Sequence, residues 1–336
     1  MSRLRFGVVG TGSLGFHHAR ILRDVDGVEM VGFHDSRPER RDEVSAELGI
    51  KAHATLDALL DVADAIVVAV PTTAHESVAL AALARGIHLL IEKPMAPSVE
   101  SADRILSAAS AAGAVIQVGH VERFNQAIRA AEPYLDRPLF IESHRMAPFT
   151  PRGTDVAVVL DLMIHDVDLV QGLVGAPISD LAASGLPVLT PNIDIANARV
   201  DFENGAVANL TASRVSLERM RKLRIFQRSG YLSLDLAAGS GEFLRLKQEL
   251  PALSSGGAVG PGFPELPEGG LESLIERIPL EGDGAEPLRK ELESFRDAVL
   301  GLHPPVVSGV QGRAALAVTV TIEDRIHRHV ADTRTA

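Results

Sequence analysis

The apolar run Phe6 to Val9 leads directly into Gly10-Thr11-Gly12-Ser13-Leu14-Gly15, and this junction constrains the chain more than any other feature. An apolar strand that ends in a glycine-rich turn and re-emerges as a helix is the opening step of a parallel βαβ sheet. The glycines let backbone approach a pyrophosphate, and the N–H groups and dipole of the helix start favour an anion there. Asp35 closes the next apolar run, at the spacing where such sheets carry an acid for an adenosine ribose. The stretch therefore reads as a dinucleotide site made by Gly10, Thr11, Gly12, Ser13, Leu14 and Gly15, with Asp35 and Ser36 at the ribose. A carboxylate at that place accepts from both ribose hydroxyls and repels a 2′-phosphate, which favours NAD over NADP. Arg37, Arg40 and Arg41 follow it, and arginines are the residues that accommodate such a phosphate, so they are the alternative determinants.

The same alternation continues. Strand-like runs at 5–9, 28–33, 65–70, 88–91 and 115–118 are separated by helical patterns at 14–24, 37–48, 75–85 and 99–112. Gly86 and Gly113 stand where helix C-caps are expected. Residues 1–120 thus read as one doubly wound domain with a parallel sheet. Residues 121–336 read as a second α/β domain: a helix at 124–134, a strand at 139–145, a polar loop at 148–155 and an apolar helix at 156–173. Alternating runs at 196–202, 207–213, 223–227 and 231–235, with a hairpin turn at Asn204-Gly205, predict a mainly antiparallel sheet. The segment 251–270, rich in Gly, Pro and Ser, reads as a mobile loop, and helices at 286–300 and 309–329 close the chain.

A length of 336 residues suits about two domains, and 46% hydrophobic with 23% charged residues is ordinary globular composition. The apolar runs are too short and interrupted to span a bilayer. Two arginines before the first strand imitate a signal peptide, but His17-His18 stand where a cleavage region would follow, so no export signal is read. The absence of cysteine excludes disulfides and thiolate metal sites and fits a reducing compartment, so the cytoplasm is expected. A net charge of −11 argues against nonspecific nucleic-acid binding.

Two further patterns carry chemistry. Glu92-Lys93-Pro94 follows the fourth strand, at the carboxyl edge where ligands of open parallel sheets bind. A lysine after a strand is ordinarily solvated, but Pro94 restricts the residue before it and stiffens the exit, so Lys93 is placed to meet a substrate hydroxyl. Asp161, His165 and Asp168 are spaced by four and three residues, which sets them on one face of a helix with apolar flanks. A satisfied histidine among surface acids is the commoner outcome of such a pattern. Proton transfer is the functional one, because imidazole ionises near neutrality and a carboxylate can orient it. With no second ligand cluster in the sequence, no metal is expected.

Taken together, Gly10 to Gly15, the segment Pro71 to His75, Glu92-Lys93-Pro94, and Asp161 with His165 resemble the Gfo/Idh/MocA oxidoreductases over essentially the whole chain. The resemblance implies a Rossmann domain followed by an α/β domain whose open sheet forms a homo-oligomer. It implies hydride transfer at a carbinol carbon, with Lys93 and His165 handling the proton and Asp161 beside them. Pro71, Thr72, His75, Glu92 and Lys93 are implied at the cofactor. The run Gly119 to Asn125, the stretch Gly153 to Asp166 and the segment Ser213 to Ser216 look like a branch that oxidises the 3-hydroxyl of UDP-N-acetylglucosamine. Gln126 stands where that branch often has proline. From those segments Arg123, Asn125, Arg152 and Arg214 join Lys93, Asp161 and His165 as expected substrate contacts. An inositol, free-sugar or sugar-acid dehydrogenase and a silent dinucleotide-binding regulator are the competing readings. Retention of Lys93, Asp161 and His165 together argues against the silent one.

Overall fold

The computed structural model describes residues 3–150, 156–247 and 271–335. The expected loop at 251–270 and the residues 151–155 of the polar loop, Arg152 among them, lie outside those residues. In chain order the first elements are β1 (Leu4–Val9), α1 (Ser13–Leu22), β2 (Val28–His34), α2 (Pro38–Leu48), α3 (Leu56–Leu60), β3 (Ala65–Val68), α4 (His75–Leu83), β4 (His88–Glu92), α5 (Val99–Ala112) and β5 (Ile116–Gly119). They are followed by α6 (Gln126–Ala131), β6 (Phe140–Met146), a π-helical turn (Val159–Met163) and α7 (Ile164–Val174). Then come β7 (Ile178–Leu186), β8 (Ile195–Phe202), β9 (Val207–Ser213), β10 (Met220–Gln227), β11 (Gly230–Asp235), β12 (Ser240–Leu246), β13 (Ile275–Glu281), α8 (Pro287–Val299) and α9 (Gly309–Thr335). Among the described residues no helix is long and apolar enough to cross a membrane.

β1 to β5 form a wholly parallel sheet in the order β2-β1-β3-β4-β5. Both faces are covered, which is why β3 and most of β1 are continuous apolar runs with no polar alternation. Alternate side chains feed two cores. Val9, Ile66, Val68, Leu89 and Ile91 meet α3, α4, α5 and Leu316 of α9, whereas Phe6, Val8, Ala65, Val67 and Leu90 meet α1, α2 and Leu292 and Phe295 of α8. Phe6 and Phe295 pack edge to face with centroids 5.6 Å apart. The first compact unit is accordingly assembled from Met1–Phe124, Asp155–Leu169 and Ala285–Ala336. Helix ends follow their sequence signals: Ser98 accepts from the Ser101 N–H to start α5, and Gly113, at φ +62°, ends it.

The second unit, Asn125–Thr154 with Val170–Gly284, holds an eight-stranded sheet in the order β13-β12-β11-β10-β6-β9-β8-β7. All its pairs are antiparallel except β6 with β9. The helix expected at 124–134 is broken, because the Asn125 side chain accepts from Ala127 N–H to cap α6 and Pro133 opens a 3₁₀ turn at Glu132–Tyr134.

Candidate active site

Functional side chains of the first unit gather past the carboxyl ends of its strands. After β1, Gly10 has φ +84°, and a Cβ there would lie 2.8 Å from the Ala69 carbonyl oxygen. A Cβ on Gly15 would meet the Gly10 oxygen at 1.9 Å, so these two glycines fold the turn upon itself. Gly12 is different: a Cβ there would meet nothing within 4 Å, so its glycine leaves room for a ligand, not for the protein. It caps α1 with no side-chain hydrogen bond, and the helix start presents backbone N–H groups to that space. Ser13 and Leu14 are exposed at this mouth. The turn therefore fits a dinucleotide pyrophosphate.

Asp35, buried after β2, accepts hydrogen bonds from the Thr11 N–H (2.9 Å) and hydroxyl (3.2 Å) and from Arg37 N–H, Nε and Nη2 (each 3.0 Å). Burial pulls its pKa up, but the Arg37 side chain and the Thr11 and Arg37 N–H groups outweigh burial and hold the carboxyl far below the usual range. Arg40 donates to the Thr11 carbonyl at 2.7 Å and Arg41 to the Asp35 carbonyl at 2.8 Å. All three arginines thus brace the turn. Ser36 is exposed next to Asp35, and Pro71 and Thr72 open a 3₁₀ turn after β3. His75 is buried, with Nδ1 3.1 Å from the Pro94 carbonyl and Nε2 3.0 Å from that of Val70. It joins the loops after β3 and β4, and burial pushes its pKa down.

Past β4 the Lys93–Pro94 peptide is cis. Lys93 Nζ donates to the Asp161 carbonyl at 2.7 Å and lies 3.7 Å from its carboxylate. Asp161 sits in the π-helical turn, where the Ile164 N–H reaches back five residues to Val159. α7 begins directly after the turn at Ile164, and His165, half-buried, is its second residue. The uniform helix expected at 156–173 is therefore a π turn followed by an α-helix, and the widened turn carries Asp161 to Lys93. Asp168, on the same run, is buried and grips Arg123: Nε to Oδ2 at 2.6 Å, Nη2 to Oδ1 at 3.1 Å, and Nη2 to the Asp168 carbonyl at 2.7 Å. Arg123 is thereby committed to a buried bidentate ion pair.

His120, just past β5, was not placed in the site by the sequence. Its ring packs perpendicular to that of His165, centroids 6.3 Å apart. Its position at the carboxyl end of the fifth parallel strand was the available signal. Glu92 is interior, 2.6 Å from His18 Nε2, and Glu291 of α8 completes a buried trio whose ligand-type atoms lie within 4.8 Å of one another. Burial, then the neighbouring Glu92 charge, push the Glu291 carboxyl well above its ordinary range.

In the second unit Asn125 donates to the Leu236 carbonyl at 2.9 Å besides capping α6. Arg214 is buried with Nε 3.9 Å from Asp194, whose carboxylate also gathers the N–H groups of Val188, Leu189 and Thr190.

Residues 4–120 match the oxidoreductase family described as GFO_IDH_MocA with an NAD-binding Rossmann fold, and residues 128–233 match the GFO/IDH/MocA C-terminal domain. Along 333 residues the chain is 36% identical to UDP-N-acetylglucosamine 3-dehydrogenase of Acidithiobacillus ferrooxidans, covering 98% of this chain and 100% of that protein. The chain belongs to the GFO/IDH/MocA oxidoreductase family. Within it, the solved structure of the A. ferrooxidans enzyme superposes with a TM-score of 0.86 at 34% identity, covering 97% of this chain and 98% of that one. Similarity to scyllo-inositol 2-dehydrogenase (NAD(+)) of Bacillus subtilis is weaker, 27% identity over 64% of this chain and 68% of that protein. GFO/IDH/MocA membership makes the chain an NAD-binding oxidoreductase, with a parallel Rossmann sheet and a mainly antiparallel second sheet, as the sequence predicts.

Proposed function

We propose that this chain is an NAD-dependent dehydrogenase for the 3-hydroxyl of UDP-N-acetylglucosamine or a close UDP-N-acetylhexosamine. The observation that carries the reading is its full-length 36% identity to a UDP-N-acetylglucosamine 3-dehydrogenase. NAD, when bound, supplies the hydride acceptor for the sugar carbon that becomes a ketone. His165 accepts the hydroxyl proton, because imidazole needs little tuning to do so near neutral pH. Lys93 donates a hydrogen bond to the oxygen as negative charge grows on it. Asp161 holds the Lys93 ammonium through its carbonyl at 2.7 Å. Asp35 stands after β2 with Arg37 paired to its carboxylate, so that guanidinium is already engaged by an acid and not kept for a 2′-phosphate, which supports NAD over NADP. Arg152 and Arg214 remain the candidate cations for the diphosphate, with Arg123 supporting the site through Asp168. In this reading residues 1–120 serve the dinucleotide and residues 121–336 the sugar.

The test is a panel of sugars with purified protein and NAD+, read by NADH absorbance. UDP-N-acetylglucosamine is expected to turn over, free N-acetylglucosamine far less efficiently, and UDP alone to compete, because the diphosphate anchors the substrate. Equal use of the free sugar, or turnover of inositol alone, moves the assignment to those substrates. NAD binding without turnover of any sugar assigns a silent regulator.

We also propose a homo-oligomer built on the open face of the eight-stranded sheet, working in the cytoplasm. Cross-strand pairs Lys222–Asp235, Arg224–Glu142 and Arg277–Glu242 give that face a self-complementary charge pattern. Sedimentation mass and cell fractionation test the two statements.

A further inference from the structure

Gly119 ends β5, and the residue after it is 1% exposed. That residue, His120, has neither ring nitrogen hydrogen-bonded to any described residue. An unpaired buried imidazole is a costly filler, since its polar atoms have lost water and gained no partner. What the ring does have is a face-to-edge contact with His165, at 6.3 Å between centroids and 89° between planes. Perpendicular aromatic pairs of this kind resist rotation of either ring, because the positive edge of one is drawn to the negative face of the other.

We propose that His120 is a positioning residue for His165, fixing the plane of the proton-handling imidazole by ring contact. The inference rests on the reading of His165 given above. The groups whose charges act on His120 are Asp168 and Glu92, which favour its charged form, and Arg123 and Lys93, which oppose it. Burial outweighs them and holds the ring neutral. Burial therefore makes His120 a poorer base than an exposed imidazole, which suits a ring that positions its neighbour and does not take the proton itself. Misplacing a reacting group by about 1 Å is enough to cost on the order of a hundredfold in rate, so a loose ring has a measurable price.

The experiment compares His120→Phe, which keeps a ring and loses both nitrogens, with His120→Leu, which keeps bulk and loses the ring. The expected result is kcat within about threefold of wild type for Phe and lowered at least about tenfold for Leu, with KM nearly unchanged in both. The kcat–pH profile of the Phe variant should keep the wild-type ionisation. Equal loss in Phe and Leu would show that the nitrogens act directly, and wild-type kcat in Leu would show no positioning at all; either result overturns the inference. NMR of the His165 ring in substrate-free protein separates this from the choice of substrate. His120→Leu should broaden or shift the ring resonances and His120→Phe should not, whichever sugar is oxidised. Unchanged spectra in both variants overturn the proposal independently of the assay.

Discussion

Asp35 accepts from Thr11 and Arg37, which holds the Gly10–Gly15 turn, and in the proposed reading it also contacts the ribose. Asp35→Ala should therefore weaken NAD by roughly tenfold or more, the worth of about two hydrogen bonds, and should narrow the preference over NADP. Calorimetric titration with both dinucleotides checks it, and a wild type that already prefers NADP refutes the assignment. If Lys93 and His165 have the roles proposed for them, Lys93→Met and His165→Asn should each lower turnover at least about a hundredfold while NAD affinity stays put. Near-normal turnover in either removes that residue from the mechanism, provided the variant melts like wild type. At this scale the sequence was most legible where a residue's role follows from strand order. Gly10, Gly15, Asp35 and Lys93 all fall at the carboxyl edge because a parallel sheet puts them there. Arg123 was less legible, because its partner Asp168 is 45 residues away and only the fold brings them within 2.6 Å. His75 and Glu92 were picked out for the cofactor, but the structure gives them interior partners, the Val70 and Pro94 carbonyls and His18.

Among the elements, α8 carries an acid into the interior. Glu291 stays protonated in the fold at pH values where the unfolded chain, with an ordinary value of 4.5, has already ionised. The unfolded chain then binds fewer protons, so this group's contribution to stability falls as pH rises from the ordinary value toward the raised one. Glu291→Gln, which mimics the protonated acid, should melt at or above wild type near pH 8, with the advantage shrinking toward about pH 5. A melting point several degrees lower near pH 8 would mean that the carboxylate itself is required. Elements with strong periodicity were read closely, as with α5, whose start and stop are marked by Ser98 and Gly113. The π turn was not, because a bulge of one residue leaves the apolar pattern of 156–173 almost intact. β7, β12 and β13 were missed, and β7 and β13 are the two edge strands of their sheet. β7 is rich in Ala, Ser and Gly, and β13 contains Pro279, which an edge tolerates.

For the whole molecule, the Rossmann sheet depends on helices encoded far downstream. Phe295 and Leu292 of α8 seal one face, and Leu316 of α9 joins the core of the other. A fragment of residues 1–124 should therefore lack a cooperative thermal transition and bind a hydrophobic dye. A sharp melt for that fragment would show the two helices to be dispensable. The general class, parallel sheet then mainly antiparallel sheet, was legible from alternation and turn residues alone. The return of the C-terminal helices to the first sheet was not, because an amphipathic helix announces that it has a buried face without naming what covers it.

That return sets a clock for synthesis. Phe124 leaves the ribosome roughly 160 residues before Ala285, a delay of about 10–30 s at ordinary elongation rates. During that interval the nascent sheet has its apolar Phe6 and Val8 face without Phe295. Until the last helices emerge, the growing chain is expected to expose the kind of apolar surface that chaperones bind.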